Sequence, residues 1–209
     1  MGISTIVRWT STDQVTPSLE RLRNHLERDV GANSLGRWQL ACRVYHPAKA
    51  GSGSGSMGPL YVVTSTEGTG RVWLVGRDGV VEGNRELEGV VHRLRSLWTV
   101  RQSASVEGWS YSIGDFILRV GSASVGTASK GIIMVVEYLP SVSLEAQLEG
   151  ALLQGFLDLV LPKGSTTSGG WDAETDREAW ESIGLGHSPW TGRHRGWQYV
   201  AFFQKQKML

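Results

Sequence analysis

Residues 114–140, GDFILRVGSASVGTASKGIIMVVEYLP, place two dense apolar runs on either side of a connection of small residues and one lysine. Phe116, Leu118 and Val120 point one way and Asp115, Ile117 and Arg119 the other, the pattern of a half-buried antiparallel strand. The second run, KGIIMVVEYLP, is rich in β-branched residues, sets Ile132, Met134 and Val136 in an inward row, and is stopped by Pro140. These six apolar residues are the expected core of a sheet.

The connection has a second reading to be tested. Gly121 and Gly126 have the separation of a phosphate-binding loop, with Lys130 close behind. That loop needs lysine and a hydroxyl residue directly after the second glycine, at the start of a helix whose N-terminus helps to hold the phosphates. Thr127 stands in the lysine's place and strand-forming residues follow, so GSASVGTASKG is a connection between strands, with room for a short intermediate strand over 122–125.

The remaining pattern supplies partners for these strands. Residues 3–9 read as a strand, and a helix follows with Thr16 as cap, Pro17 at its first position, Leu19, Leu22 and Leu26 on one face, and Gly31 at its end. Strands are expected over 37–45, 60–65 and 71–76, the last turning at Arg77, Asp78 and Gly79 into Val80 and Val81. Leu87, Val90, Val91, Leu94, Leu97 and Trp98 recur at helical spacing, which predicts a helix over 84–101 capped by Asn84. A helix with a broad apolar face, including Leu152, Phe156 and Leu159, is expected over 143–161, and a short one over 172–183. GWQYVAFFQ, 196–204, reads as a final strand. Trp197, Tyr199 and Phe203 would face the sheet interior, with Val200 and Phe202 under a helix or at the edge of a protein interface. Flexible loops fall near 47–58, where GSGSGS is either natural or an engineered replacement, and at 162–170.

Strands and helices in this order do not alternate as in a doubly wound fold. The expected architecture is α+β: one domain over 1–209, an antiparallel β-barrel of about eight strands with helices packed on it.

Composition narrows the function by exclusion. A net charge of +1 argues against an extended nucleic-acid surface, and no window has the run of apolar residues that spans a membrane. The absence of a leader pattern and the single cysteine, Cys42, suit a reducing compartment and forbid an internal disulfide. Nine tryptophans spread along the chain suit sheet packing better than base stacking. The five histidines lie in separate segments without metal-ligand spacing, and no nucleophile motif is present. Arg193, His194 and Arg195 read as a surface loop that offers at most one phosphate or acidic contact.

The same stretch that opened the reading, DFILRVGSASVGTASKGIIMVVEYLPSV, followed by a leucine-rich helix ending LLQGFLDLV, resembles the family of Mediator subunit 20. The resemblance also takes in MGISTIVRW, LYVVTS and RVWLVGRDG, in order. Asp115, Phe116, Val120, Gly121, Gly126, Gly131, Glu137, Tyr138 and Pro140 are its most specific residues. It implies a β-barrel without cofactor or metal that serves as a non-enzymatic subunit of the Mediator head module in the nucleus. It further implies a heterodimer with subunit 18, a link through a helix of subunit 8, contact with other head-module subunits, and action on the RNA polymerase II machinery. Two other readings compete: a tunnel-type barrel enzyme acting on triphosphates, and a small-ligand barrel. The tunnel needs inward Glu, Arg and Lys around a metal, whereas the alternating strand positions here are Phe116, Leu118, Val120, Ile132, Met134 and Val136.

Overall fold

The computed structural model describes residues 2–10, 14–48, 58–67, 70–94, 96–140, 146–170, 173–186 and 189–209, with side chains excepted at 146–149 and 173–175. The GSGSGS segment and the expected start of the third helix lie outside them. The strands are β1 (Ile3–Thr10), β2 (Asn33–Pro47), β3 (Leu60–Ser65), β4 (Arg71–Gly76), β5 (Gly79–Gly83), β6 (Trp98–Ile113), β7 (Phe116–Val125), β8 (Ala128–Tyr138) and β9 (Thr166–Gly169). The helices are α1 (Val15–Arg28), α2 (Arg85–Arg93), α3 (Ala146–Val160), α4 (Ala173–Ser182) and α5 (Gly192–Lys205).

All nine strands form one sheet in the order β5-β4-β3-β2-β6-β7-β8-β1-β9, antiparallel at every ladder. The expected α+β antiparallel class therefore stands, but the sheet is curled rather than closed: among the described residues β5 and β9 do not pair. The curl is visible in the strand packing. β2 and β7 flank β6 without pairing, yet they approach within 8 Å. In a flat sheet, strands two apart lie about 9.5 Å from each other, so the sheet creases along β6. On the ladder between β6 and β7, Gly108 pairs with Gly121. A Cβ on Gly108 would stand 1.9 Å from the Val120 carbonyl oxygen, and one on Gly121 would stand 2.6 Å from that of Glu107. Only glycines permit this approach.

β7 and β8 are joined by a two-residue turn in which Gly126 adopts φ +58°, and Val125 pairs with Ala128. No helix follows Gly126, and Lys130 sits on β8, so the phosphate-loop geometry is absent. Phe116 is half-buried and stacks on Phe156 of α3 at 4.2 Å. Leu118, Val120, Ile132, Met134 and Val136 are buried on the same, outer face of the sheet, against which α1 also packs.

Four elements differ from the sequence expectation. The helix expected over 84–101 ends at Arg93. The chain turns at Leu94, and Trp98 pairs with Pro47 to begin β6. Apolar spacing ran on past the end because Leu97 and Trp98 continue the same interval by chance, and pairing with β2 overrides it. Residues 102–113, too polar to mark an element by themselves, extend β6 because β2 and β7 hold it from both sides. The expected loop 162–170 contains β9, which pairs with β1. Finally, 196–204 is helical. Buried Arg195, Gln198, Tyr199, Phe202 and Phe203 recur at i, i+3, i+4, i+7 and i+8, a helical stripe whose first two members are polar.

Candidate functional site

α5 touches β5, β4 and β3 at one end of the sheet and β1 near the other. One helix reaches both regions only because the sheet wraps around it. Close approach is written into the sequence at Gly196, where a Cβ would meet Trp73 of β4 at 2.5 Å. Trp73 in turn packs edge-on against Tyr199, with ring centroids 5.8 Å apart. The start of α5 is fixed by His194, whose Nδ1 accepts from the Thr191 backbone N–H at 3.1 Å and whose Nε2 donates to the Gly186 carbonyl at 2.7 Å. Trp180 and Trp190 enclose that imidazole, at 4.6 and 5.5 Å between centroids.

Between α5 and the inner face of the sheet lies a buried cluster of four charges. Arg195 donates through Nη1 to Glu67 Oε2 at 2.7 Å, and its Nη2 lies 2.7 Å from Glu137 Oε1. Arg119 of β7 donates to Glu137 Oε2 at 3.0 Å and lies 3.7 Å from Glu67 Oε2. The Tyr199 hydroxyl donates to the other Glu67 oxygen. The Gly2 N–H donates to Glu137 at 3.1 Å, and the Gly2 carbonyl accepts from Arg195 at 3.3 Å. Gln198 and Ser4 extend the contact: the Gln198 side-chain amide donates to the Ser4 carbonyl at 3.0 Å. β1, β7, β8, the end of β3 and α5 thus meet at one neutral quartet of two arginines and two glutamates. α5 has no acidic residue in its first turn. The sheet's carboxylates, held near that positive end, take the place of one.

The electrostatics follow from burial set against pairing. Burial pushes the carboxyl of Glu137 up, but Arg195 and Arg119 outweigh it and bring the pKa down to about 2. Glu67 is likewise lowered, Arg195 and Arg119 overcoming its burial. Burial works against the charge of Arg195, but Glu67, Tyr199 and Glu137 hold it above its ordinary value. Tyr199 is raised well above the ordinary range by burial and by Glu67. Glu67, Glu137, Arg195 and Tyr199 are therefore each held in their neutral-pH state. The cluster offers no group poised to exchange a proton, and its four charges cancel.

This arrangement corrects two sequence readings. Arg119 does not face solvent; it points into the space enclosed by the curled sheet and is 6% exposed. His194 and Arg195 are interior residues of α5 rather than a surface loop, and Arg193 alone of the three is exposed. Inward Glu and Arg do exist, although apolar alternation on β7 and β8 predicted none. Glu67 was missed because it lies in a short connection after β3, and no local pattern marks its distant partners. Among the described residues no group of three or more metal-ligating side chains is assembled.

Val200 and Phe202 are both buried within the chain. Phe202 lies against β9: a Cβ on Gly169 would come within 2.8 Å of its ring. Val200 lines a surface groove of about 230 Å³ with Trp197, Tyr61 and Pro59. A larger groove, of about 580 Å³, runs between the β4–β5 hairpin and the segment that follows α4. Leu60, Leu74, Val81, Trp98 and Leu185 form its apolar lining, and Arg77 and Arg193 are at its rim.

The family model described as the TATA-binding related factor (TRF) of subunit 20 of Mediator complex matches residues 1–204. Mediator of RNA polymerase II transcription subunit 20 of Gallus gallus is 28% identical over 132 residues, 61% of this chain and 62% of that protein, so the match spans under two thirds of the relative's length. Among solved structures, a Hippeastrum protein described as showing a dominant triphosphatase activity superposes with a TM-score of 0.47 at 15% identity, covering 88% of this chain and 97% of that one. The Schizosaccharomyces pombe Mediator head module superposes with a TM-score of 0.44 at 13% identity, covering 76% of this chain and 94% of that chain.

Proposed function

Because the chain belongs to the Mediator subunit 20 family, we propose that it is a non-catalytic architectural subunit of the Mediator head module in the nucleus. In this reading it pairs with subunit 18, connects to the module through a helix of subunit 8, and supports transcription by RNA polymerase II. The observation that carries the non-catalytic part is the interior of the curled sheet. Where a tunnel-type enzyme would hold an anionic substrate among basic residues, this chain places α5, and the arginines are neutralised by Glu67 and Glu137. The groove bordered by Val200 is the proposed edge of the contact with subunit 18, and Phe202 supports it from beneath by seating α5 on β9.

Co-expression with subunit 18 of the same organism, followed by size exclusion, tests the assembly. An equimolar complex is expected, and two separate peaks would overturn the reading. Incubation of the purified chain with tripolyphosphate and a divalent cation tests the rest. No phosphate release above the buffer rate is expected; turnover that disappears in Arg119→Ala would establish an enzyme instead.

A further inference from the structure

The two ends of the sheet are finished differently. β9 has four residues, ends in Gly169 and is followed by Gly170, both of positive φ, and has Phe202 against it. β5 is covered on its inner face by α5, where Gly192 lies against the Glu82 carboxylate, but its outer edge is unpaired. It is joined to β4 by the two-residue turn Arg77-Asp78, with Gly76 paired to Gly79. Alternation from that turn directs the backbone N–H and C=O of Val80 and Glu82 away from β4. Neither residue makes a backbone hydrogen bond on that side to any described residue. An edge of this kind is a template for another strand; β5, GVVEG, is short and carries one inward charge, Glu82, but no lysine, proline or bulge.

The ground beside this edge is apolar and basic. The 580 Å³ groove borders it, and Val81 is 54% exposed. Leu94 and Leu97, on the turn from α2 into β6, and Val100 near the start of β6 are also exposed, and Trp98 in the same segment lines the groove. Arg77 and Arg193 line the groove, while Arg93 and Arg101 adjoin Leu94 and Val100 in sequence. None of these four arginines has a carboxylate partner among the described residues. Among the described residues Asp78 is the single acid lining the groove. A surface that joins an unpaired edge, an apolar channel and unmatched arginines is complementary to one kind of chain.

We propose that β5 is an assembly edge that accepts an extended segment of another protein as a tenth strand, with alternate apolar side chains entering the groove beside Val81 and flanking carboxylates meeting Arg77 and Arg193. Main-chain hydrogen bonds supply affinity in such an addition, and the groove supplies selectivity. The inference rests on the proposed role as an assembly subunit and names a surface that role does not specify.

Hydrogen exchange on the reconstituted head-module complex tests it, with size exclusion reporting assembly separately. The amides of Val80 and Glu82 are expected to exchange at least about tenfold more slowly in the complex than in the free chain. Val81→Lys, at an exposed position that leaves the core intact, should weaken association about tenfold or more, as should Arg77→Glu combined with Arg193→Glu. A complex that forms with unchanged exchange at Val80 and Glu82 would overturn the proposal and leave the assembly role standing; no complex at all would overturn both. Protection at the edge that is indifferent to the arginine reversals would refute the acidic partner. The same protection in the isolated chain as its concentration rises would make the occupant a second copy of this chain.

Discussion

Replacing Arg195 with methionine keeps the length of the side chain and removes its charge from a site that is 2% exposed. Glu67 then loses its 2.7 Å partner and keeps only Arg119 at 3.7 Å and the Tyr199 hydroxyl, while Glu137 keeps Arg119 at 3.0 Å. The quartet becomes a triad with one surplus buried negative charge. Breaking a buried pair from one side costs about 3–5 kcal/mol, which for a chain of this size lowers the melting temperature by about 6–20 °C. The pH dependence separates charge from packing. In the parent protein the folded-state pKa of Glu137, about 2, lies below its ordinary 4.5, so its contribution is present above pH 4.5 and lost as the pH falls through 2. The expectation for Arg195→Met is that burial prevails over the single remaining arginine and raises one carboxyl. The variant's deficit relative to the parent should therefore shrink between pH 7 and pH 5, where protonation relieves the surplus charge and the parent's quartet keeps its charges. Adding Glu67→Gln should recover most of the loss at pH 7. Urea melts followed by tryptophan fluorescence measure all three. A deficit under about 1 kcal/mol, or one that is constant from pH 7 to pH 5, would refute the reasoning.

Gly196→Ala should destabilise the fold despite the better helix propensity of alanine, because its Cβ would meet Trp73 at 2.5 Å. Gly89→Ala in α2, where the added Cβ meets nothing within 4 Å, should stabilise it by about 0.4–1 kcal/mol; calorimetric melts of the pair distinguish close helix–sheet contact from propensity. Leu118→Ala, at a fully buried site, should cost about 2–5 kcal/mol in denaturant melts. The Cys42 thiol is buried and pushed up to about 12 by desolvation, so an aromatic disulfide reagent at pH 8 should react with it only at the rate of opening or unfolding.

Where one local rule dominates, the sequence by itself determined the structure. Apolar runs located the inner parts of β7 and β8 but not their paired ends, 121–125 and 128–131, which read as a connection because they are small and polar, and the β3 and β4 bounds, 60–65 and 71–76, could be read from β-branched runs between breakers. Leu19, Leu22 and Leu26 identified the buried face of α1, although the helix begins at Val15, before the expected Thr16 cap. Local rules failed where long-range partners decide. Whether the chain after Arg93 stays helical depends on β2, 53 residues away at the Thr99 to His46 bond. β6 is a strand because both its neighbours are. GWQYVAFFQ suits either periodicity in composition, and its conformation is settled by the space inside a curled sheet, which no window of sequence contains. The charged cluster is the extreme case: Arg195 meets Glu67 across 128 residues. Each of those residues alone looks like an ordinary exposed charge, and only the tertiary structure brings them close enough to offset the cost of burying them.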